Sequence, residues 1–143
     1  MLHTVTTCLE AAFYLVGIIT AGASAWKYWR NSKTHRMRWL FDLYQSFYNN
    51  PEMRKMRLRL DQGQMEFLRG HHQPELEAEF DDFLNFFEMV SYLKERGELK
   101  IDEIQAMFDY VLSKIQQDKA VRDYIADAEN GYEKLPRLLR ELS

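Results

Sequence analysis

The chain opens with a continuous apolar segment, and the remainder alternates apolar and polar positions at helical spacing. Residues 11–26 carry no charge, and extending the segment back to residue 5 adds only one charged residue, Glu10. A helix over residues 5–26 would be about 33 Å long, which suits the thickness of a membrane's hydrocarbon core. The pattern therefore predicts a single transmembrane helix over residues 5–26.

Aromatic and basic residues follow this apolar segment directly. Trp and Tyr concentrate at membrane interfaces, and Lys and Arg are retained on the cytoplasmic side. We therefore predict a basic juxtamembrane segment over residues 27–38, an N-terminus facing out, and a C-terminal domain in the cytoplasm. The side chains expected to contact anionic lipid headgroups are Trp26, Lys27, Trp29, Arg30, Lys33, Arg36 and Arg38.

Residues 1–38 are open to three other interpretations. Ala23-Ser24-Ala25 has the small residues of a signal-peptide cleavage site, and whether it is cleaved stays open. The first ten residues lack Lys and Arg while the following flank is basic, which favours an anchor. A buried core helix would need apolar partners on all sides, and the remaining chain is short for that. Aromatics among the basic residues also occur in nucleic-acid binders, but the adjoining apolar segment favours lipid.

Small residues recur within the predicted span. Gly17, Ala21 and Ala25 lie four residues apart and therefore share one helix face. Small residues let two membrane helices approach closely, so this face is expected to support packing against a second helix.

Beyond residue 38 the apolar positions recur three and four residues apart, and no period of two appears. Leu40, Leu43 and Phe47 mark a first helix. Asn50-Pro51-Glu52 is typical of a helix start, and this second helix is predicted to reach about Gly70. The third, over 75–96, has the clearest apolar face and ends at Gly97; its apolar residues are Leu76, Phe80, Phe83, Phe87 and Val90.

Three further helices are predicted. Asp102, with Gln105 three residues later, is expected to cap a fourth helix that runs to about residue 117. A fifth covers 119–129, and a short sixth lies near Pro136. The sequence thus predicts an all-α protein in which a transmembrane helix runs into a compact antiparallel bundle over residues 39–143.

Composition and charge add two constraints. The single cysteine, Cys8, excludes a framework of intrachain disulfides. The net charge is −3, yet residues 27–59 are rich in Lys and Arg while 75–143 are rich in Asp and Glu. A basic section beside an apolar segment agrees with a membrane at that end.

The sequence offers no pattern for catalysis, cofactor binding or metal binding, so we expect no enzyme, no cofactor and no metal site. His71 and His72 are expected to be solvated loop residues. An acidic run at the start of the third helix is expected to be a solvated face, with docking of a basic partner as the alternative; it comprises Glu75, Glu77, Glu79, Asp81 and Asp82.

Asn85 and Glu88 share one face of the third helix and lie among four phenylalanines in the sequence. Glu88 follows the core candidate Phe87, and a partly buried carboxylate requires a partner. We expect a structural ion pair with an arginine of the first two helices, the candidates being Arg38, Arg54 and Arg57. A functional role for Glu88 is the alternative.

The segment NFFEMVSYLKERGELKIDEIQAMFDYVL, residues 85–112, and the preceding FYNNPEMRKMRLRL resemble a family of short bacterial proteins classed only as a domain of unknown function. The resemblance covers nearly the whole chain and implies a bacterial, membrane-anchored, all-helical protein. It thereby implies that the predicted anchor lies in the bacterial inner (plasma) membrane. It implies no activity. Asn85, Phe87, Glu88 and Gly97 match the Asn-Phe-Phe-Glu motif and the glycine that follows it, and are expected to be structural.

The expected function is that of a non-enzymatic, membrane-tethered interaction module. Its helical domain would bind a protein partner or a second copy, with membrane lipid as a further partner and no nucleic acid. The alternative is an oligomerising membrane effector of a bacterial stress or phage-defence system, motivated by Gly17, Ala21 and Ala25.

Overall fold

The computed structural model describes residues 34–70 and 73–143, and within these ranges the chain is helical with no strand. The prediction of an all-α chain is confirmed for this part. In order, the elements are α1 over residues 34–48, α2 (Pro51–Asp61), a 3₁₀ turn (Glu66–Arg69), α3 (Pro74–Glu95), α4 (Ile101–Gln117), α5 (Lys119–Ala126), a second 3₁₀ turn (Ala128–Asn130) and α6 (Leu135–Glu141).

The predicted transmembrane helix lies outside the described residues and stays a prediction. Among the helices that are described, none is both long and apolar enough to cross a membrane. The contacts between Cα atoms divide the chain into two units, residues 1–43 and residues 44–143. The fold below is that of the second unit.

The start of α2 is the one that the sequence predicts. The side-chain oxygen of Asn50 accepts hydrogen bonds from the backbone N–H groups of Glu52 and Met53, at 2.9 and 3.4 Å. The predicted end near Gly70 is wrong. The helix ends at Asp61, and Gly63 then adopts a φ of 66°, a left-handed conformation that glycine tolerates and that stops the helix.

The end of α3 is also as predicted. Gly97 has a φ of 74°, its N–H donates to the carbonyl of Lys94, and the N–H of Glu98 donates to that of Leu93, both at 2.9 Å. These two hydrogen bonds satisfy carbonyl groups that the helix end would otherwise leave unpaired.

The boundaries that follow differ from prediction by a few residues. Helix α4 begins at Ile101, before the predicted cap Asp102, because the Glu103 carboxylate accepts a hydrogen bond from the N–H of Lys100. Helix α5 is shorter than predicted and is capped by Asp118, whose carboxylate accepts from the N–H groups of Ala120 and Val121.

Phenylalanine rings from three helices meet in the core of the second unit. Phe47 of α1 is fully buried, and its ring centroid lies 5.1 Å from that of Phe87 and 5.4 Å from that of Phe108. Ring pairs at these distances and edge-on angles add to the energy of burial. All five residues of the predicted apolar face of α3 are buried. In the first unit, the predicted apolar residues Leu40 and Leu43 of α1 are buried as well.

Candidate functional site

Glu88 projects from α3 to the start of α6. Its carboxylate accepts hydrogen bonds from the backbone N–H groups of Lys134 and Leu135, at 2.9 and 2.7 Å, and a longer one from Glu133 at 3.3 Å. The predicted ion pair with an arginine is therefore wrong, because the partners are backbone groups. A helix start leaves N–H groups without partners inside the helix, and Glu88 supplies the missing acceptor.

The other motif residues occupy different environments. Phe87 is fully buried, Asn85 is exposed on α3, and Gly97 lies just beyond the end of that helix. The motif is therefore not gathered into one site. Each of Phe87, Glu88 and Gly97 acts at a separate point of the fold.

Asp81 departs from the expected solvated acidic face. One of its oxygens accepts hydrogen bonds from two tyrosine hydroxyls, Tyr124 at 2.7 Å and Tyr132 at 2.8 Å. The pKa of both tyrosines is raised above the ordinary value. Burial is the largest cause, and the hydrogen bond to Asp81 is the second. Glu79 is likewise paired, with the ammonium of Lys55 at 2.7 Å.

Most of the side chains predicted to lie in or beside a membrane fall outside the described residues. This applies to Gly17, Ala21 and Ala25, and to Trp26, Lys27, Trp29, Arg30 and Lys33. Of the remaining two, Arg38 is exposed on α1 and Arg36 is partly exposed.

Helix α1 carries two large apolar side chains in contact with solvent. Met37 is 65% exposed and Phe41 is 58% exposed. They lie four residues apart and therefore share one face of the helix, which we call the α1 face. Single exposed apolar residues are common, but neighbouring ones on successive turns are typical of interaction surfaces.

A cleft of about 300 Å³ lies between α2 and α4, and we call it the Arg57 cleft. Its apolar lining comes from Leu58, Leu60 and Val111. Its polar lining consists of Tyr48, Arg54, Arg57, Asp61, Tyr110 and Lys114. Sequence patterns gave no sign of it, because the lining comes from three separate helices.

The Arg57 guanidinium is held against aromatic rings. Its central carbon lies 4.4 Å from the ring centroid of Tyr48 and 5.1 Å from that of Phe47, and one of its nitrogens donates to the Tyr48 carbonyl at 3.1 Å. Tyr48 is itself fixed, since its hydroxyl donates to the carbonyl of Met107 at 3.0 Å. The guanidinium therefore has a defined position without a carboxylate partner within the described part of the chain.

The two tyrosines of the cleft are neutral hydrogen-bonding groups. Burial, with the nearby Tyr44, raises the pKa of Tyr48 despite the opposing effect of Arg57. The hydroxyl of Tyr110 donates to Asp61 at 3.0 Å, and this hydrogen bond raises the pKa of Tyr110. Because both tyrosines are neutral, the charged side chains that line the cleft within the described residues are three cations and one carboxylate.

No group of three His, Cys, Asp or Glu side chains that could hold a metal ion occurs in residues 34–70 and 73–143. His71 and His72 lie outside those ranges. No protein-family model, no curated protein and no solved structure matches the chain. The resemblance to a family of unknown function therefore stays a prediction.

Proposed function

We propose that this protein is a membrane-tethered, non-enzymatic helical interaction module at the cytoplasmic face of a bacterial membrane. The observation that supports it is the α1 face, on which Met37 and Phe41 are both more than half exposed. Apolar side chains grouped in this way lower the free energy when a partner covers them. The basic and apolar sequence before α1 supports the tether.

A protein partner fits this face, and a second copy of the chain is the first partner to test. The full chain would be purified in detergent micelles, and its mass measured by sedimentation over a range of concentrations. Phe41→Glu places a charge in the contact and is expected to weaken self-association by about tenfold. His35→Glu adds the same charge to another exposed face of α1 and is expected to leave association unchanged.

If the wild-type chain is monomeric throughout, the partner is a different protein. Affinity capture with the membrane-embedded full chain should then recover a protein that the Phe41→Glu chain does not. Identical recovery by both chains, together with a monomeric wild type, would contradict the proposal.

The tether is tested separately by washing membranes with alkaline carbonate. We expect the full chain to stay in the membrane fraction, and its C-terminal unit to resist protease added outside intact spheroplasts. Release into the wash would contradict the tether without affecting the α1 face. The effector alternative rests on Gly17, Ala21 and Ala25, and nothing in the described residues favours it.

A further inference from the structure

Among the described residues, no carboxylate forms an ion pair with a cation of the Arg57 cleft. Arg54, Arg57 and Lys114 line it, and within the described residues none of them has a carboxylate at ion-pair distance; the ion pairs found there involve Lys55, Lys94, Lys119 and Arg137. The acid in the cleft, Asp61, accepts a hydrogen bond from Tyr110. The chain as a whole has a net charge of −3, so this local excess of positive charge is not a general property of its surface.

Arg57 is placed in advance for binding. Stacking on Tyr48 and Phe47 and the hydrogen bond to the Tyr48 carbonyl hold the guanidinium. Its Nε–H is buried with no acceptor among the described residues. A planar guanidinium that is already ordered loses little entropy on binding an anion, and its geometry suits the oxygens of phosphate.

The charges indicate which anion fits. Three cations and one carboxylate give a formal net charge of +2, which a dianion neutralises and a single carboxylate does not. A phosphate monoester carries between about −1.5 and −2 at neutral pH and offers three acceptor oxygens.

The rest of the cleft suits an organic group. The side chain of Tyr110 is 60% exposed and that of Leu58 is 49% exposed. The Nζ atom of Lys114 lies 5.7 Å from the ring centroid of Tyr110. Ligand sites commonly combine an apolar wall with a few polar groups that fix orientation, and their volumes begin at about 300 Å³.

We propose that the Arg57 cleft binds a phosphate monoester, with the phosphate between Arg54, Arg57 and Lys114 and the organic part against Tyr110 and Leu58. The phosphate can belong to a soluble metabolite or to a lipid headgroup, since the chemistry that the cleft recognises is the same.

The test is titration calorimetry of the full chain in non-ionic detergent micelles, with phenyl phosphate as the probe. We expect saturable binding. Arg54→Gln and Lys114→Gln, both at solvent-accessible positions, should each weaken it by about fivefold or more. Asp61→Asn removes the opposing charge and should strengthen binding by about threefold. Benzoate, a monoanion of similar shape, should bind at least about tenfold more weakly.

The matched control is Arg96→Gln, which removes one positive charge from an exposed position outside the cleft. It should leave the affinity unchanged, and circular dichroism confirms that each variant is folded. An absence of saturable binding overturns the proposal. So does an equal loss in Arg96→Gln, because binding would then reflect overall charge, or equal affinity for benzoate.

Two competitors identify the source of the phosphate. Displacement of phenyl phosphate by adenosine monophosphate, but not by phosphatidic acid vesicles, indicates a soluble ligand. Displacement by phosphatidic acid vesicles, but not by phosphatidylcholine vesicles, indicates a lipid. Failure of both competitors would overturn the assignment of the phosphate to a soluble metabolite or a lipid headgroup.

Discussion

The contacts of α3 with the C-terminal segment, residues 119–143, differ from the Arg57 cleft in how their charged groups are paired. On α3, the Glu88 carboxylate accepts hydrogen bonds from three backbone N–H groups, and the Asp81 carboxylate accepts hydrogen bonds from two tyrosine hydroxyls. In the cleft, Arg54 and Lys114 have no ion-pair partner among the described residues. Groups that hold a fold together have their hydrogen bonds satisfied within it, whereas charges left unsatisfied at a concave surface are available to a ligand.

The largest effect should come from Glu88. In Glu88→Ala the start of α6 loses its acceptor, and we expect the free energy of unfolding to fall by about 2–3 kcal/mol. Glu88→Gln keeps one acceptor oxygen and should lose about half as much. Asn85→Ala, an exposed position one turn earlier, is the control and should change stability by less than about 0.5 kcal/mol. Chemical denaturation measures all three, and an equal effect of Asn85→Ala and Glu88→Ala would contradict the role given to Glu88.

Gly97 should give an intermediate effect. A side chain at a φ of 74° is strained, although no atom beyond Gly97 and its two chain neighbours lies within 4 Å of the position where a Cβ would be. Gly97→Ala is therefore expected to cost about 1–2 kcal/mol of conformational energy without a steric clash. Gly97→Asn should cost less, since Asn tolerates this conformation better, and thermal unfolding distinguishes the two. Equal costs would show that the loss is not conformational.

The tyrosines that bind Asp81 predict a pH dependence. Their pKa values in the folded state are raised, so the folded state keeps its phenolic protons at a pH where the unfolded state loses them. This stabilisation is complete below about pH 10, the ordinary pKa of tyrosine, and is lost as the pH rises above it.

Replacing both tyrosines by phenylalanine should lower stability at pH 7 by about 1 kcal/mol for each hydrogen bond. The double variant should also show a shallower decline in unfolding free energy above about pH 10 than the wild type does. Denaturation at several pH values checks this. A parallel decline in the two proteins would exclude a special contribution from this pair.

The smallest effects are expected in the cleft. Arg54→Gln and Lys114→Gln remove charges that have no paired carboxylate in the part of the chain that the structure describes, so each should change the free energy of unfolding by less than about 0.5 kcal/mol. A loss comparable to that in Glu88→Ala would show that these cations stabilise the fold, and the contrast between the two regions would disappear.

Features that depend on one helix alone are the easiest to predict from the sequence. The predicted apolar face of α3 is confirmed, because helical periodicity alone determines which side chains share a face. The predicted end of α2 is wrong, although Gly63 lies inside the predicted helix and a glycine there indicates a helix end. The acceptors for the α6 N–H groups and for Tyr132 could not be predicted. Their partners lie 45 to 51 residues away, and only the packing of α3 against the C-terminal segment brings them together. The Arg57 cleft depends in the same way on α1, α2 and α4.

The position of Phe47 has a consequence for how the protein is made. Its ring packs against Phe83 and Phe87 of α3 and Phe108 of α4, all of which leave the ribosome later. Closing the core therefore requires long-range contacts, which slow folding relative to contacts within one helix. Until α4 has been synthesised, the early part of the chain exposes an aromatic side chain that native packing would cover. Nascent chains stalled before α4 should thus be the species most prone to aggregate or to recruit chaperones.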